Sequence, residues 1–422
     1  MNTNNNKDSI EDNSSQTLHK NSFFNIPTIR IKNVNLTCLA PKELEYNELL
    51  IKENINFNDE FEVKDKEGVF CKNQEVLKRQ EGVFTDMAKQ LAKNIFSSGT
   101  ISLSLPIRIF EPRSMLERYI DWWSFAPVLL KKAGSLNDKL EAFKYAISFT
   151  LSGLFSSAGQ MKPFNPLLGE TYQAKFEDGS DIYVEHTSHI PPISNYLIND
   201  KDGLYKLYGY CDISVEGAMK VLFNNYMYCV PKGKCSIYLK NTNQTIHYQN
   251  PRVVLGGMII GSRYAYWDGH MKFEDRENGL KAIIWFNFSH PNLKNRRIHD
   301  IYGQIFKYDY SKDKKKDFYE AKLSKSSIPD QKNVICTITG SWLEYLVFDN
   351  KILWTISESV PSRVIPVDNP LPSDPRYRED LIWLKKSKFA NESKATFEEF
   401  AQQWKIALEV QQRYDRSLRG KK

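Results

Sequence analysis

Two polar corners, each pinned by proline, hold residue types that can grip a ligand without any catalytic step. The first is Lys162-Pro163-Phe164-Asn165-Pro166-Leu167-Leu168-Gly169-Glu170-Thr171-Tyr172, and the second is Glu185-His186-Thr187-Ser188-His189-Ile190-Pro191-Pro192. Proline presets its own φ and restricts the residue before it, so Lys162, Asn165, Ser188 and His189 are expected to be held rather than floppy. An ammonium, an amide, a hydroxyl and an imidazole supply the several donors that a phosphate dianion needs. A short strand is expected between the corners, so that together they form a small anion-binding mouth. Far downstream, Lys405, Glu409 and Arg413 fall at i, i+4 and i+8, on one face of a helical pattern. Taken alone, these three read as an exposed ion-paired ladder.

The chain offers little for catalysis. It has no G-x-S-x-G elbow, no P-loop, no H-E-x-x-H and no dinucleotide-binding glycine fingerprint. Ser188 and His189 are neighbours on extended backbone and point to opposite faces, so they are not expected to form a nucleophile–base pair. His247, His270, His290 and His299 lie far apart and read as surface or satisfied core residues. Cys38, Cys71, Cys211, Cys229, Cys235 and Cys336 include no C-x-x-C pair, which argues against a zinc site or a disulfide framework. No enzyme activity, metal or cofactor is expected.

The net charge of +7 is diffuse and shows no basic stripe interleaved with aromatics, so nucleic acid is not an expected partner. The basic runs Lys312 to Lys316 and Arg413 to Lys422 read as a solvated loop and a frayed end. Their functional alternative is attraction to an anionic membrane surface. No apolar run approaches the roughly 20 residues that span a bilayer. Met1 to Asn21 is polar, with no signal-peptide core, so a soluble cytosolic protein is expected.

The elements that position the corners follow from periodicity. Residues 1–75 read as a disordered or extended arm, and the acidic stretch from Phe57 to Glu62 only faintly resembles an endoplasmic-reticulum targeting motif. In the region 76–98, Phe84, Met87, Leu91 and Ile95 fall on one face of an amphipathic helix, a candidate hinged cover. Residues 100–109 alternate as a strand. A helical hairpin over 111–158 has its break at Gly134-Ser135. Strands are then expected at Leu204–Cys211, Met219–Phe223, Cys235–Leu239, Thr245–Gln249, Arg263–Phe273, Leu280–Phe288, Ile301–Tyr308, Phe318–Leu323, Val334–Ile338 and Trp342–Phe348. So many antiparallel strands should curl into a barrel over 99–360, with interior space beyond that of an eight-stranded one. A proline-rich connector and a helical subdomain over 361–422 complete the chain, with Trp383, Phe397, Phe400, Trp404 and Leu408 as its buried stripe.

Together these residues resemble the oxysterol-binding-protein-related family of lipid carriers. The fingerprint of that family is Glu-Gln-Val-Ser-His-His-Pro-Pro, and Glu185 to Pro192 matches six of its eight positions when Thr187 is counted for Val. The run Lys162 to Tyr172 resembles a second hallmark, and Lys405-x-x-x-Glu409-x-x-x-Arg413 a third. Similarity runs from about residue 80 to about residue 420. The resemblance implies a large, nearly closed antiparallel barrel around an apolar lipid tunnel, an N-terminal lid and a C-terminal helical subdomain. It also implies carriage of a sterol or phosphatidylserine in exchange for phosphatidylinositol 4-phosphate, with the bound lipid as ligand. By position, Lys162, Asn165, His189, Lys405 and Arg413 would contact the head group, Ser188 would add a hydroxyl, and Glu409 would orient the basic pair.

The resemblance also implies a monomer that works in the cytoplasm, associating transiently with anionic membranes, including membrane contact sites. A lipid-regulated sensor or scaffold is the alternative. No pleckstrin-homology domain or ankyrin repeat is visible, so the expectation is a short form targeted by its own domain or by a partner. One departure stands out. The second His of the family is Ile190 here and its Gln is His186, which removes a charge-assisted bond and implies about 10- to 100-fold weaker phosphoinositide binding unless another group, such as His186, fills in.

Overall fold

The computed structural model describes residues 61–83, 85, 109–159, 161–216, 224–257, 261–312, 330–378 and 380–382. The lid positions Phe84, Met87, Leu91 and Ile95 lie outside them, as do the expected strands Met219–Phe223 and Phe318–Leu323 and the trio Lys405, Glu409 and Arg413.

The segment read as an extended arm enters the structure at its end, as a hairpin of β1 (Phe61–Lys64) and β2 (Gly68–Cys71), followed by the short helix α1 (Gln74–Arg79). Strand β3 (Phe110–Ser114) then leads into helices α2 (Met115–Tyr119), α3 (Lys131–Ser135) and α4 (Lys139–Ser152). Next come β4 (Lys162–Phe164), β5 (Thr171–Phe176), β6 (Asp181–His189), β7 (Pro192–Asn199) and β8 (Tyr205–Glu216). The meander continues through β9 (Tyr226–Lys232), β10 (Cys235–Leu239), β11 (Gln244–Gln249), β12 (Arg252–Gly256) and β13 (Tyr264–Asp275). It ends with β14 (Leu280–Phe286), β15 (Asp300–Lys307), β16 (Val334–Ser341), β17 (Tyr345–Phe348), β18 (Lys351–Thr355) and β19 (Val364–Pro366).

Seventeen of these strands form one antiparallel sheet, and β3 and β4 form a separate parallel pair. Two long strands organise the large sheet. The first half of β8 pairs with β10 and its second half with β9, so β9 and β10 are one strand broken at Gly233. On β13 the partners are β12 and then β11, a second strand broken at Asn250-Pro251, where proline has no N–H to give the ladder. The β1–β2 hairpin joins at the start of β13, with Tyr264 opposite Phe70. Among the described residues β1 is an edge paired with β2 alone, while the meander ends at β18 on one side and β19 on the other, and no ladder joins β18 to β19.

Helices line that seam. The Ser362 N–H donates to Ser124 O at 2.8 Å, and Phe125 packs edge-on against Trp354 of β18 with ring centroids 5.8 Å apart. The fold is therefore a barrel whose hydrogen-bonded wall is nearly, not fully, closed. Asp138 starts α4 by accepting the N–H groups of Leu140 and Glu141 at 2.8 and 2.9 Å. From Ala146 to Ser152 every side chain of α4 is buried, so this helix is surrounded by protein rather than lying on a surface. Gly134 does more than break the helical hairpin. A Cβ there would lie 2.3 Å from Leu204 O, so only glycine lets α3 approach the β7–β8 turn this closely.

Candidate functional site

Strand β4 carries Lys162 beside Phe110 of β3 and delivers the chain to the loop at Asn165. That loop is fastened from below by Glu170, whose side chain is 1% exposed. Its Oε2 accepts the Leu167 N–H at 2.9 Å and Nη1 of Arg378 at 2.8 Å, while the Ser114 hydroxyl donates to Oε1. Ser114 is also the N-cap of α2, in a capping box with Glu117, so one residue ties a helix start to the corner. Arg378 donates to Asn165 O at 2.8 Å and pairs with Asp380 at 2.5 Å. Burial pushes the Glu170 carboxyl up, and Arg378 with the donated hydrogen bonds pulls it back.

Above this clamp, Lys162 Nζ donates to Asn165 Oδ1 at 2.7 Å and to Pro163 O at 3.1 Å, and it lies 4.9 Å from the centre of the Phe110 ring. Among the described residues no carboxylate comes within ion-pair distance of it, although Glu111 contributes a weaker attraction. Burial brings this ammonium down to about 8. A cation held by neutral acceptors beside an exposed amide is suited to an incoming anion.

The sign of the resulting pH dependence is fixed by that shift. Lys162 is charged below about 8 and loses its proton above it. Capture of an anion is therefore expected to weaken by about tenfold per pH unit above that value, until the proton affinity of the anion-bound lysine is reached. Ligand ionisation near pH 6 falls below this window. Phosphoinositide uptake followed up to about pH 9.5 checks it, and uptake that stays flat across the window would contradict it.

The second corner is the β6–β7 hairpin, turning at Ile190-Pro191 with Ile190 65% exposed at the tip. Two strands, not the single short one expected, separate the corners, and they bring the corners together by folding back. Gly169 N donates to His186 O and His186 N to Glu170 O, each at 2.9 Å, extending the pairing of Thr171 with Glu185. The register shifts between His186 and Ser188, a bulge that breaks simple alternation. Its effect is to set His186 against His189, with Nε2 of the first 3.4 Å from Nδ1 of the second. The alternative in which His186 itself fills in at the ligand gains no support from this placement. His186 is 1% exposed and bonded through Nδ1 to Ser194 Oγ at 3.0 Å. Ser188 is partly exposed and makes no side-chain hydrogen bond among the described residues.

The structure thus joins Lys162 and Asn165 to the Ser188–His189 hairpin, while Lys405, Glu409 and Arg413 lie outside the described residues. Glu170, Arg378, Ser114 and Ser194 escaped the reading of the sequence. Glu170 had a signal, being a carboxylate inside an apolar run, whereas Arg378 is 208 positions from its partner and had none. Of the other histidines, His299 departs from the expected satisfied core role, being 1% exposed with neither ring nitrogen hydrogen-bonded among the described residues, and two have local tasks. His247 bonds Ser236 Oγ at 2.9 Å, and His290 accepts the Asn292 N–H and stacks on Tyr302. In the interior, a cavity of only about 10 Å³ lies among Trp122, Trp123, Phe149, Leu154 and Tyr248.

Residues 87–419 match the family model described as oxysterol-binding protein. Oxysterol-binding protein 9 of Dictyostelium discoideum is 35% identical over 323 residues, 73% of this chain and 71% of that protein. Oxysterol-binding protein-related protein 1 of Homo sapiens is 27% identical over 246 residues, which span 58% of this chain and only 23% of that protein. Among solved structures, the Saccharomyces cerevisiae Osh3 ORD in complex with PI(4)P superposes with a TM-score of 0.57 at 21% identity, covering 78% of this chain and 84% of that one. The Osh1 ORD domain in complex with cholesterol gives a TM-score of 0.55 at 19% identity, with 76% of each chain covered.

Proposed function

The chain belongs to the oxysterol-binding protein family, and from that premise we propose that it carries lipid between membranes without a chemical step. Its cargo would be a sterol or phosphatidylserine, moved in exchange for phosphatidylinositol 4-phosphate. The observation that carries this reading is the pair of backbone bonds between Gly169-Glu170 and His186. They tie the loop that holds an exposed amide, next to a lysine with no carboxylate within ion-pair distance among the described residues, to the hairpin that carries a half-buried imidazole. That is an anion-binding mouth beside a hydrophobic interior. Burying lipid there stabilises the complex by about 25 cal/mol per Å² of apolar surface removed from water, offsetting the loss of the bilayer.

In this reading the protein works as a monomer in the cytoplasm. It docks transiently on anionic membranes, membrane contact sites among them, and returns to solution with its lipid enclosed. The face with Phe84, Met87, Leu91 and Ile95 would close over the cargo, and Lys405, Glu409 and Arg413 would complete the mouth. Transfer between two liposome populations tests it. Sterol or phosphatidylserine should move faster to acceptors that carry phosphatidylinositol 4-phosphate, with counterflow of the phosphoinositide. A lipid-regulated scaffold would bind one lipid and accelerate neither flow.

Ile190 offers a gain-of-function check. Its side chain stands in solvent next to His189, so Ile190→His adds a donor without disturbing packing. Phosphoinositide uptake is expected to tighten about tenfold, the worth of one charge-assisted hydrogen bond. Unchanged uptake would mean that the tip does not face the head group.

A further inference from the structure

Where the family fingerprint places two adjacent histidines, this chain has one, His189, followed by Ile190. Behind His189 stands a second imidazole that the fingerprint lacks. His186 Nε2 lies 3.4 Å from His189 Nδ1, at the long end of hydrogen-bonding range, and the rings meet edge to face at 88°. On its other side His186 Nδ1 is 3.0 Å from Ser194 Oγ, and Ser194 in turn lies against the hydroxyl of the buried Tyr119. A polar thread therefore runs from the rim of the mouth into the barrel core, through groups that both give and accept protons.

We infer that His186 is a positioning residue for His189, and that the two imidazoles act as one unit presenting Nε2–H of His189 to a phosphate monoester; this rests on the head-group reading above. The chemistry of a neutral imidazole makes the unit adaptable. When His189 is neutral, an Nε2–H on His186 donates to His189 Nδ1 and leaves the His189 proton on Nε2. When His189 is charged, the other tautomer of His186 accepts from Nδ1–H and hands its own Nδ1–H to Ser194. In both states the outward nitrogen of His189 carries a proton. Burial holds His186 in its neutral form, bringing it down to about 4, with His189 pushing the same way. His186 thus supplies geometry and a complementary partner, not a second charge.

The test uses full-length protein, wild type and the variants His186→Gln, His186→Phe and Ser194→Ala, with phosphatidylinositol 4-phosphate presented in phosphatidylcholine vesicles. Glutamine keeps an amide that both donates and accepts, whereas phenylalanine keeps bulk alone. Uptake should fall about tenfold in His186→Phe and stay within about threefold of wild type in His186→Gln. Histidine side-chain ¹⁵N spectra of the wild type should show His189 protonated at Nε2 when ligand is bound, and Ser194→Ala should blur that signature even if His186→Phe folds poorly. No loss in His186→Phe, or equal loss in both His186 variants, overturns the inference. A wild type that takes up no phosphoinositide overturns the transfer reading instead. Inorganic phosphate titrated against the same ¹⁵N signals then decides the inference separately: an Nε2-protonated His189 supports a free-phosphate site, and no change removes the unit.

Discussion

Arg378→Ala is expected to destabilise the protein by about 3–5 kcal/mol, the loss usual when one member of a buried ion pair is removed. Its guanidinium is 5% exposed and serves three acceptors at once, namely Glu170, Asp380 and the Asn165 carbonyl. Alanine would leave the Glu170 carboxylate buried with only Ser114 and the Leu167 N–H for company. The Asn165 loop would lose its tie to the C-terminal connector, so head-group capture should fall together with stability. A lysine in the same place keeps the charge but not the fork, and is expected to recover only part of the loss. The double variant Glu170→Leu/Arg378→Met removes both charges and should be more stable than Arg378→Ala alone, because no charge is then stranded. Urea unfolding midpoints measure all three. A shift below about 1 kcal/mol for Arg378→Ala would show that the pair is effectively solvated, as surface pairs are.

The second large effect separates function from stability. Lys162→Met should lower phosphoinositide uptake by at least about tenfold, because it removes the one ammonium of the described corner and a charge-assisted bond. It should leave the melting temperature unchanged or raise it. Burial has already lowered the proton affinity of this lysine, so in its charged form it opposes folding. Methionine retains the stem that packs near Phe110 and drops the charge. Sites of this kind hold a destabilising group because the ligand needs it. A variant that unfolds, or one that extracts the phosphoinositide normally, would contradict this assignment.

How far the sequence could be read follows from where the information is local. Apolar runs bounded by Gly, Asn, Asp and Lys turns located β14 and β15, expected at Leu280–Phe288 and Ile301–Tyr308, to within about two residues. Yet β14 is buried at every residue, with Ala282 and Ile284 in the main core and Ile283 and Trp285 in a smaller cluster on its other face. Alternation could not announce that second layer. The expected strand from Trp342 begins instead at Tyr345, because Ser341 to Glu344 make the tight turn out of β16. At the site, proline spacing revealed both corners. What joins them did not show, because a bulge beside Thr187 re-aims His186, and Arg378 reaches Glu170 from across the chain. Backbone register and long-range pairing of charges depend on the finished fold, and no local pattern encodes them.

Extraction of phosphatidylinositol 4-phosphate from liposomes by the purified wild-type protein tests the central claim most directly. Protein and vesicles are mixed, the vesicles are removed by sedimentation, and the phosphoinositide left with the protein is quantified. The account predicts uptake approaching one lipid per protein, despite isoleucine at position 190. Vesicles that keep all of their phosphoinositide at saturating protein would contradict it.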